Sequence, residues 1–68
     1  MDKFFERLKE LRIEKKISQA QLAADTGLTI SAISKWEQGQ RIPSAMAIIT
    51  LAKYFHVTTD YLLGVTDY

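Results

Sequence analysis

An all-α domain of five short helices is the architecture this sequence predicts, and three observations carry the prediction. Apolar residues recur at three- and four-residue spacing along most of the chain, the period of a helix packed on one side. Capping residues stand ahead of the later apolar runs, at Ser18, Thr29, Ser44 and Thr58 or Thr59, and the three glycines fall singly at Gly27, Gly39 and Gly64, where helices stop. No stretch shows a strand pattern, and no repeat or low-complexity segment interrupts the series.

The first helix is expected over Asp2–Lys16, with Phe4, Leu8 and Leu11 as its inner stripe, flanked by Met1 and Phe5. Lys3/Glu6, Glu6/Lys9 and Arg7/Glu10 stand three residues apart and predict small ion-pair contributions. Asp2, Glu6, Glu10 and Glu14 read as a solvated face rather than an acidic docking stripe. Lys15-Lys16-Ile17 leads to Ser18, which with Gln21 forms a Ser-x-x-Gln capping box, each side chain satisfying the other end's free N–H. The second helix ends at Gly27, and a third runs from the Thr29 cap to Gln38 and the stop at Gly39. Gln40-Arg41-Ile42-Pro43 is a loop, because the proline ring disfavours helix at Ile42. Ser44 caps a fourth helix, Ala45–Phe55, that buries Ile48, Leu51, Ala52 and Phe55 and leaves Met46, Ile49 and Lys53 outside. A last short helix carries Asp60 in its first turn, then Leu62 and Leu63, and ends at Gly64 before the tail Val65-Thr66-Asp67-Tyr68.

Length and composition exclude several classes. Sixty-eight residues, 47% of them apolar, suit one small globular domain spanning 1–68. With no cysteine there is neither a disulfide nor a thiolate metal site, which fits a reducing cytoplasm. No apolar run approaches the ~20 residues of a membrane span, and Met1 leads into a charged helix rather than a signal peptide, so a cytoplasmic location is expected. The single histidine, His56, closes the fourth helix and has neither a nucleophile nor further ligands around it in the pattern. The chain reads as a non-enzyme with no metal, cofactor or small-molecule ligand.

Nine basic and eight acidic residues give a net charge of +1, a weak argument for nucleic acid by itself. The third helix argues more directly. Ile33 and Trp36 share one side with Ala32 beside them, while Ser31, Ser34, Lys35 and Gln38 lie opposite. An outer face of hydrogen-bonding groups and one cation suits the major groove, which admits a helix and presents donors and acceptors. Trp36 belongs to the core, where its indole N–H needs an acceptor or water.

The spacing Gln19, Ala23, Gly27, Ile33, Trp36 resembles the helix-turn-helix of phage repressor and Cro-type regulators, the XRE family. Arg12, Glu37-Gln38-Gly39, Pro43-Ser44 and the closing Val57-Thr58-Thr59-Asp60-Tyr61-Leu62-Leu63-Gly64 extend the resemblance over nearly the whole chain. It implies a lambda-repressor-like fold with the helix-turn-helix at about 18–38, and sequence-specific binding of double-stranded DNA as a transcriptional regulator. By the same resemblance, Gln19 and Thr29 would contact phosphate, and Ile30, Ser31 and Lys35 would reach base edges, with Ser34 an addition. Gln38, Gln40 and Arg41 would contact the DNA backbone beyond the recognition helix, and Arg12 would pair with Glu37. Lys35 can donate to guanine and Ile30 can pack on a thymine methyl. His56 departs from the glycine common at that junction and predicts a little strain.

Repression as a homodimer on an inverted-repeat operator is the commonest use in the family, with activation equally compatible with these residues. Of the apolar residues in 58–68, Leu62, Leu63, Val65 and Tyr68, some finish the core, as Leu62 or Leu63 would, and the rest make the contact across the two-fold axis. A protein-interaction role, as an antitoxin or adaptor on the same fold, is the alternative.

Overall fold

The computed structural model describes residues 2–68, which form α1 (Asp2–Glu14), α2 (Gln19–Thr26), α3 (Ile30–Glu37), α4 (Ala45–Phe55) and α5 (Thr59–Leu63), with no strand among them. Met1 and the Asp2 side chain, expected on the inner and acidic stripes of α1, lie outside the described residues. None of the helices is long and apolar enough to cross a membrane.

One core organises all five helices. Phe4 and Leu8 of α1, Leu22 of α2, Ile33 of α3, Leu51 of α4 and Leu62 of α5 are all fully buried. Each side chain so buried stabilises by roughly 1.5–3 kcal/mol before entropy is counted. The helices pack as α2 on α3 and α4, α1 on α3 and α5, and α4 on α5. Ala23, Ala32, Ala47 and Ala52 are buried among them. Leu11 and Phe55, expected inside, are half-buried at the core's edge.

Four cap hydroxyls were expected and four are in place. The side chains of Ser18, Thr29, Ser44 and Thr58 accept from the backbone N–H of Gln21, Ala32, Ala47 and Tyr61. Thr58, not Thr59, is therefore the last cap. The capping box at Ser18 is only half formed, because the Gln21 side chain instead donates to Asp25 Oδ1 at 2.7 Å.

Other local expectations are corrected. α1 ends at Glu14, two residues before the expected Lys16. The turn into α2 needs a left-handed residue, no glycine is available, and Lys16 takes φ 60°. A 2.9 Å bond from Lys16 N to Ile13 O and a 3.3 Å bond from Ile17 N to Arg12 O close the helix end there. The ion pairs expected along α1 do not form. Lys3 and Arg7 reach Asp67 at 3.6 and 3.2 Å instead, and Arg12 reaches Glu37. Contacts across the fold win because a pair between exposed neighbours on one helix is worth only a few tenths of a kcal/mol. His56 closes α4 in the left-handed region, φ 57°, as its place in the sequence predicts. Trp36 is buried, edge-on to Phe4 at 6.4 Å, but its indole N–H meets neither an acceptor nor the solvent.

Candidate nucleic-acid interface

The angle between α2 and α3 is set from inside. Arg12 donates from Nε to Glu37 Oε2 at 2.7 Å and from Nη2 to Oε1 at 3.0 Å, while its Nη1 donates to the Ile17 carbonyl at 2.9 Å. The two side chains are only 15% and 4% exposed. A two-pronged pair out of water fixes direction as well as distance. The bond to Glu37, with its charge, holds the Arg12 guanidinium above its usual pKa against the opposing effect of burial. One arginine on α1 thus grips the turn entering α2 and the last residue of α3.

Gln19 joins this clamp, donating from Nε2 to Glu37 Oε1 at 3.2 Å. Its amide, expected to face a phosphate, is half-buried and already engaged within the protein. Thr29 uses its hydroxyl oxygen to accept from Ala32 N at 3.1 Å, which leaves the hydroxyl proton free to donate outward.

α3 buries Ala32, Ile33 and Trp36 and turns its other side to solvent. Ile30 is 51% exposed, and Ser31, Lys35 and Gln38 are exposed beside it. Ser34 is half-buried at the margin, its hydroxyl accepting from Gln38 Nε2 at 2.8 Å. Beyond α3, Gly39 takes φ 73°, and a Cβ there would stand 3.2 Å from the Phe5 ring. The chain therefore turns sharply over α1, and Gln40 and Arg41 emerge exposed next to the end of α3. Lys35 and Arg41 form no ion pair among the described residues, so both cations are available to an outside partner.

The C-terminal apolar residues divide between core and surface, as their number predicts. Leu62 is fully buried and finishes the core, which removes it from any contact between subunits. Leu63 is half-buried, while Val65 and Tyr68 are 70% and 90% exposed.

Two constellations went unforeseen. Arg7 lies against the Tyr61 ring, 4.2 Å from its centre, and donates to the carbonyls of Tyr61 and Thr66 and to Asp67. The tail is thereby folded back on α1. Nothing local in the sequence marks Arg7, since its acceptors are backbone groups at the far end of the chain. On the other side, Asp25 accepts from Tyr54 Oη at 2.6 Å and from Gln21, with Lys15 over the Tyr54 ring at 4.9 Å. These bonds, led by that from Tyr54, hold Asp25 below the usual carboxylate range and push the Tyr54 phenol up.

Comparison with known proteins agrees with this geometry. A helix-turn-helix family profile matches residues 8–62. The transcriptional activator BcrR of Enterococcus faecalis is 41% identical over 61 residues, covering 90% of this chain and 30% of the activator. The first three curated relatives are longer proteins, of which the chain spans 30%, 57% and 52%. Among solved structures, the P22 c2 repressor bound to a synthetic operator superposes with a TM-score of 0.81 at 34% identity, covering 87% of this chain and 89% of that one. The restriction-modification controller C.AhdI of Aeromonas hydrophila gives 0.80 at 40% identity, covering 88% and 91%. With the family match spanning most of the chain and the five-helix fold in place, the protein belongs to the helix-turn-helix regulators of the phage repressor and Cro type, the XRE family.

Proposed function

We propose that the chain binds double-stranded DNA in a sequence-specific way, as a transcriptional repressor acting as a homodimer on an inverted-repeat operator. One observation carries the reading: the exposed side of α3 presents Ile30, Ser31 and Lys35 together, on a helix whose pitch is locked by Arg12 and Glu37. Lys35 donates to a guanine edge, Ile30 packs on a thymine methyl, and Ser31 accepts either partner. Thr29, Gln38, Gln40 and Arg41 hold the flanking phosphates and set the register. Ser34 and Gln19 act mainly from behind, Ser34 by orienting Gln38 and Gln19 by bracing Glu37. That the similar P22 c2 repressor was solved in complex with a synthetic operator supports operator DNA as the partner.

Leu63, Val65 and Tyr68 form the two-fold contact, which places two recognition helices about 34 Å apart, one turn of DNA. The patch is small, so dimerisation is weak in free solution and strengthened when DNA holds both subunits. Truncation after Gly64 then reduces cooperative occupancy of an operator with two half-sites.

Selection of bound sequences from random duplex DNA, repeated with variants, tests the assignment. Lys35→Ala should cost roughly 1–3 kcal/mol on the selected site and relax preference at one base pair. Arg41→Ala should weaken all sequences alike and lower the salt slope by about one. An unchanged preference at every position with Lys35→Ala would show that another face of the protein reads the DNA.

A further inference from the structure

Two surfaces of the molecule carry complementary chemistry, and neither is satisfied within the chain. The first is a groove of about 280 Å³ between α1 and α5, lined by Glu10, Leu11, Ile13, Glu14 and Tyr61. Leu11 and Tyr61 are half-buried and Ile13 is 55% exposed, which makes an apolar floor open to solvent. Glu10 and Glu14 stand exposed on its rim, and neither forms an ion pair among the described residues. The second surface is the outer side of α4. Met46 and Ile49 are 71% and 40% exposed, and Lys53 follows one turn later on the same side. From Gln38 to Thr59 the chain contains no carboxylate at all. One surface is thus apolar with an acidic rim, the other apolar with a cation at its end.

α1 packs on α3 and α5, whereas α4 packs on α2 and α5. The two surfaces belong to helices that are not principal neighbours, so one chain cannot close this contact on itself. We propose that the α4 stripe of one copy docks in the α1 groove of a second copy. Met46 packs on Leu11 and Ile13, and Lys53 lies toward Glu10 and Glu14. This contact joins two different patches and is therefore heterologous. It does not close by a two-fold axis, and it propagates from copy to copy. It uses none of the residues assigned above to DNA or to the C-terminal contact, and does not depend on either assignment. Only a few side chains from each copy make the contact, so the association is weak in solution. It gains strength where copies are held side by side, because proximity raises their effective concentration.

Sedimentation of the full chain tests the proposal, in a Val65→Asp background that removes the C-terminal contact from consideration. Mass should rise with concentration past two copies at about 0.01 M salt and fall back at 1 M, where screening shortens from ~30 to ~3 Å. Glu10→Lys with Glu14→Lys, or Lys53→Glu alone, should each weaken association about tenfold or more by facing like charges. Mixing the two variants should restore it, because every contact between unlike copies is then complementary. A mixture as weak as its components would overturn the proposal, as would association that stops at two copies. A second measurement exploits the absence of native cysteine. Ile13→Cys and Met46→Cys chains, mixed and mildly oxidised, should form the mixed disulfide beyond its statistical proportion, which requires the two Cβ atoms to meet. A purely statistical yield rejects the docking.

Discussion

α1 carries two arginines that do the same chemical work at opposite sides of the molecule, with different consequences. Arg12 meets Glu37, whose side chain is 4% exposed, in a two-pronged pair that joins α1 to the end of α3. Arg7 meets two backbone carbonyls and Asp67, whose side chain is 86% exposed, and so joins α1 to the tail. Burial of the acidic partner separates the two, since the arginine side chains themselves are about equally buried, at 12% and 15% exposed. Removing one member of the inner pair strands a charge away from water, whereas Asp67 is solvated with or without its partner. The helix-turn-helix is therefore held by a contact that must stay closed, and the tail by one that can open at low cost.

The largest effect should come from breaking the inner clamp. Arg12→Met or Glu37→Gln is expected to destabilise by about 3–5 kcal/mol, read by chemical denaturation. A double-mutant cycle between the positions should give a coupling above the ~0–1 kcal/mol of a surface pair. A coupling near zero would mean that the two arginine contacts are equivalent after all.

Arg7→Met should cost less, about 1–2 kcal/mol, through the carbonyl bonds it leaves unmade. Its distinguishing mark should be local: faster hydrogen exchange and proteolysis in residues 65–68, with the α2 and α3 amides still protected. Asp67→Asn should cost within ~0–1 kcal/mol, and that small loss should disappear at high salt. Equal deprotection of α3 and the tail in Arg7→Met would contradict the separation of the two regions.

Each region also contains a non-glycine residue in the left-handed conformation, Lys16 beside the clamp and His56 ahead of α5. His56→Gly relieves a conformation that costs roughly 1–2 kcal/mol in residues with a Cβ, and glycine's own entropy offsets part of the gain. A rise in melting temperature is expected for His56→Gly. No rise would place the balance with the unfolded state.

The smallest effect concerns pH. Asp25 is depressed in the folded state, so its contribution is present above the ordinary carboxylate range and lost as pH falls through its folded value. Tyr54 is raised, so its contribution is present below about 10 and lost as pH climbs through its folded value. Both carboxylate and phenol are exposed, and the changes should be slight. Tyr54→Phe should flatten both arms of the stability profile, whereas an unchanged profile would show that other groups govern it.

What could be read directly from the sequence was whatever depends on neighbours along the chain. Helical period, cap hydroxyls and single glycines operate over three or four residues, so α2, α3 and α4, with their caps, were legible to within a residue or two. The solvent side of α3 was legible for the same reason, because Ile33 and Trp36 define the buried side and leave Ser31, Ser34, Lys35 and Gln38 opposite, although the fold half-buries Ser34; Ile30 came from the resemblance. The Arg12–Glu37 pair came from resemblance to a family rather than from spacing, and the two side chains meet at 2.7 Å. Which of the C-terminal apolar residues remain outside was a matter of packing: Leu62 and Leu63 are adjacent and alike in chemistry, and only the fold sends Leu62 inside. Tertiary structure alone also decided that the Trp36 indole N–H is buried against Phe4 without a side-chain or backbone acceptor. It alone decided that Arg7 grips the tail. The physical reason is common to all of these. Each is a competition between a weak local preference, worth a few tenths to ~1 kcal/mol, and a contact brought by the fold from elsewhere in the chain, and no short window of sequence contains both competitors.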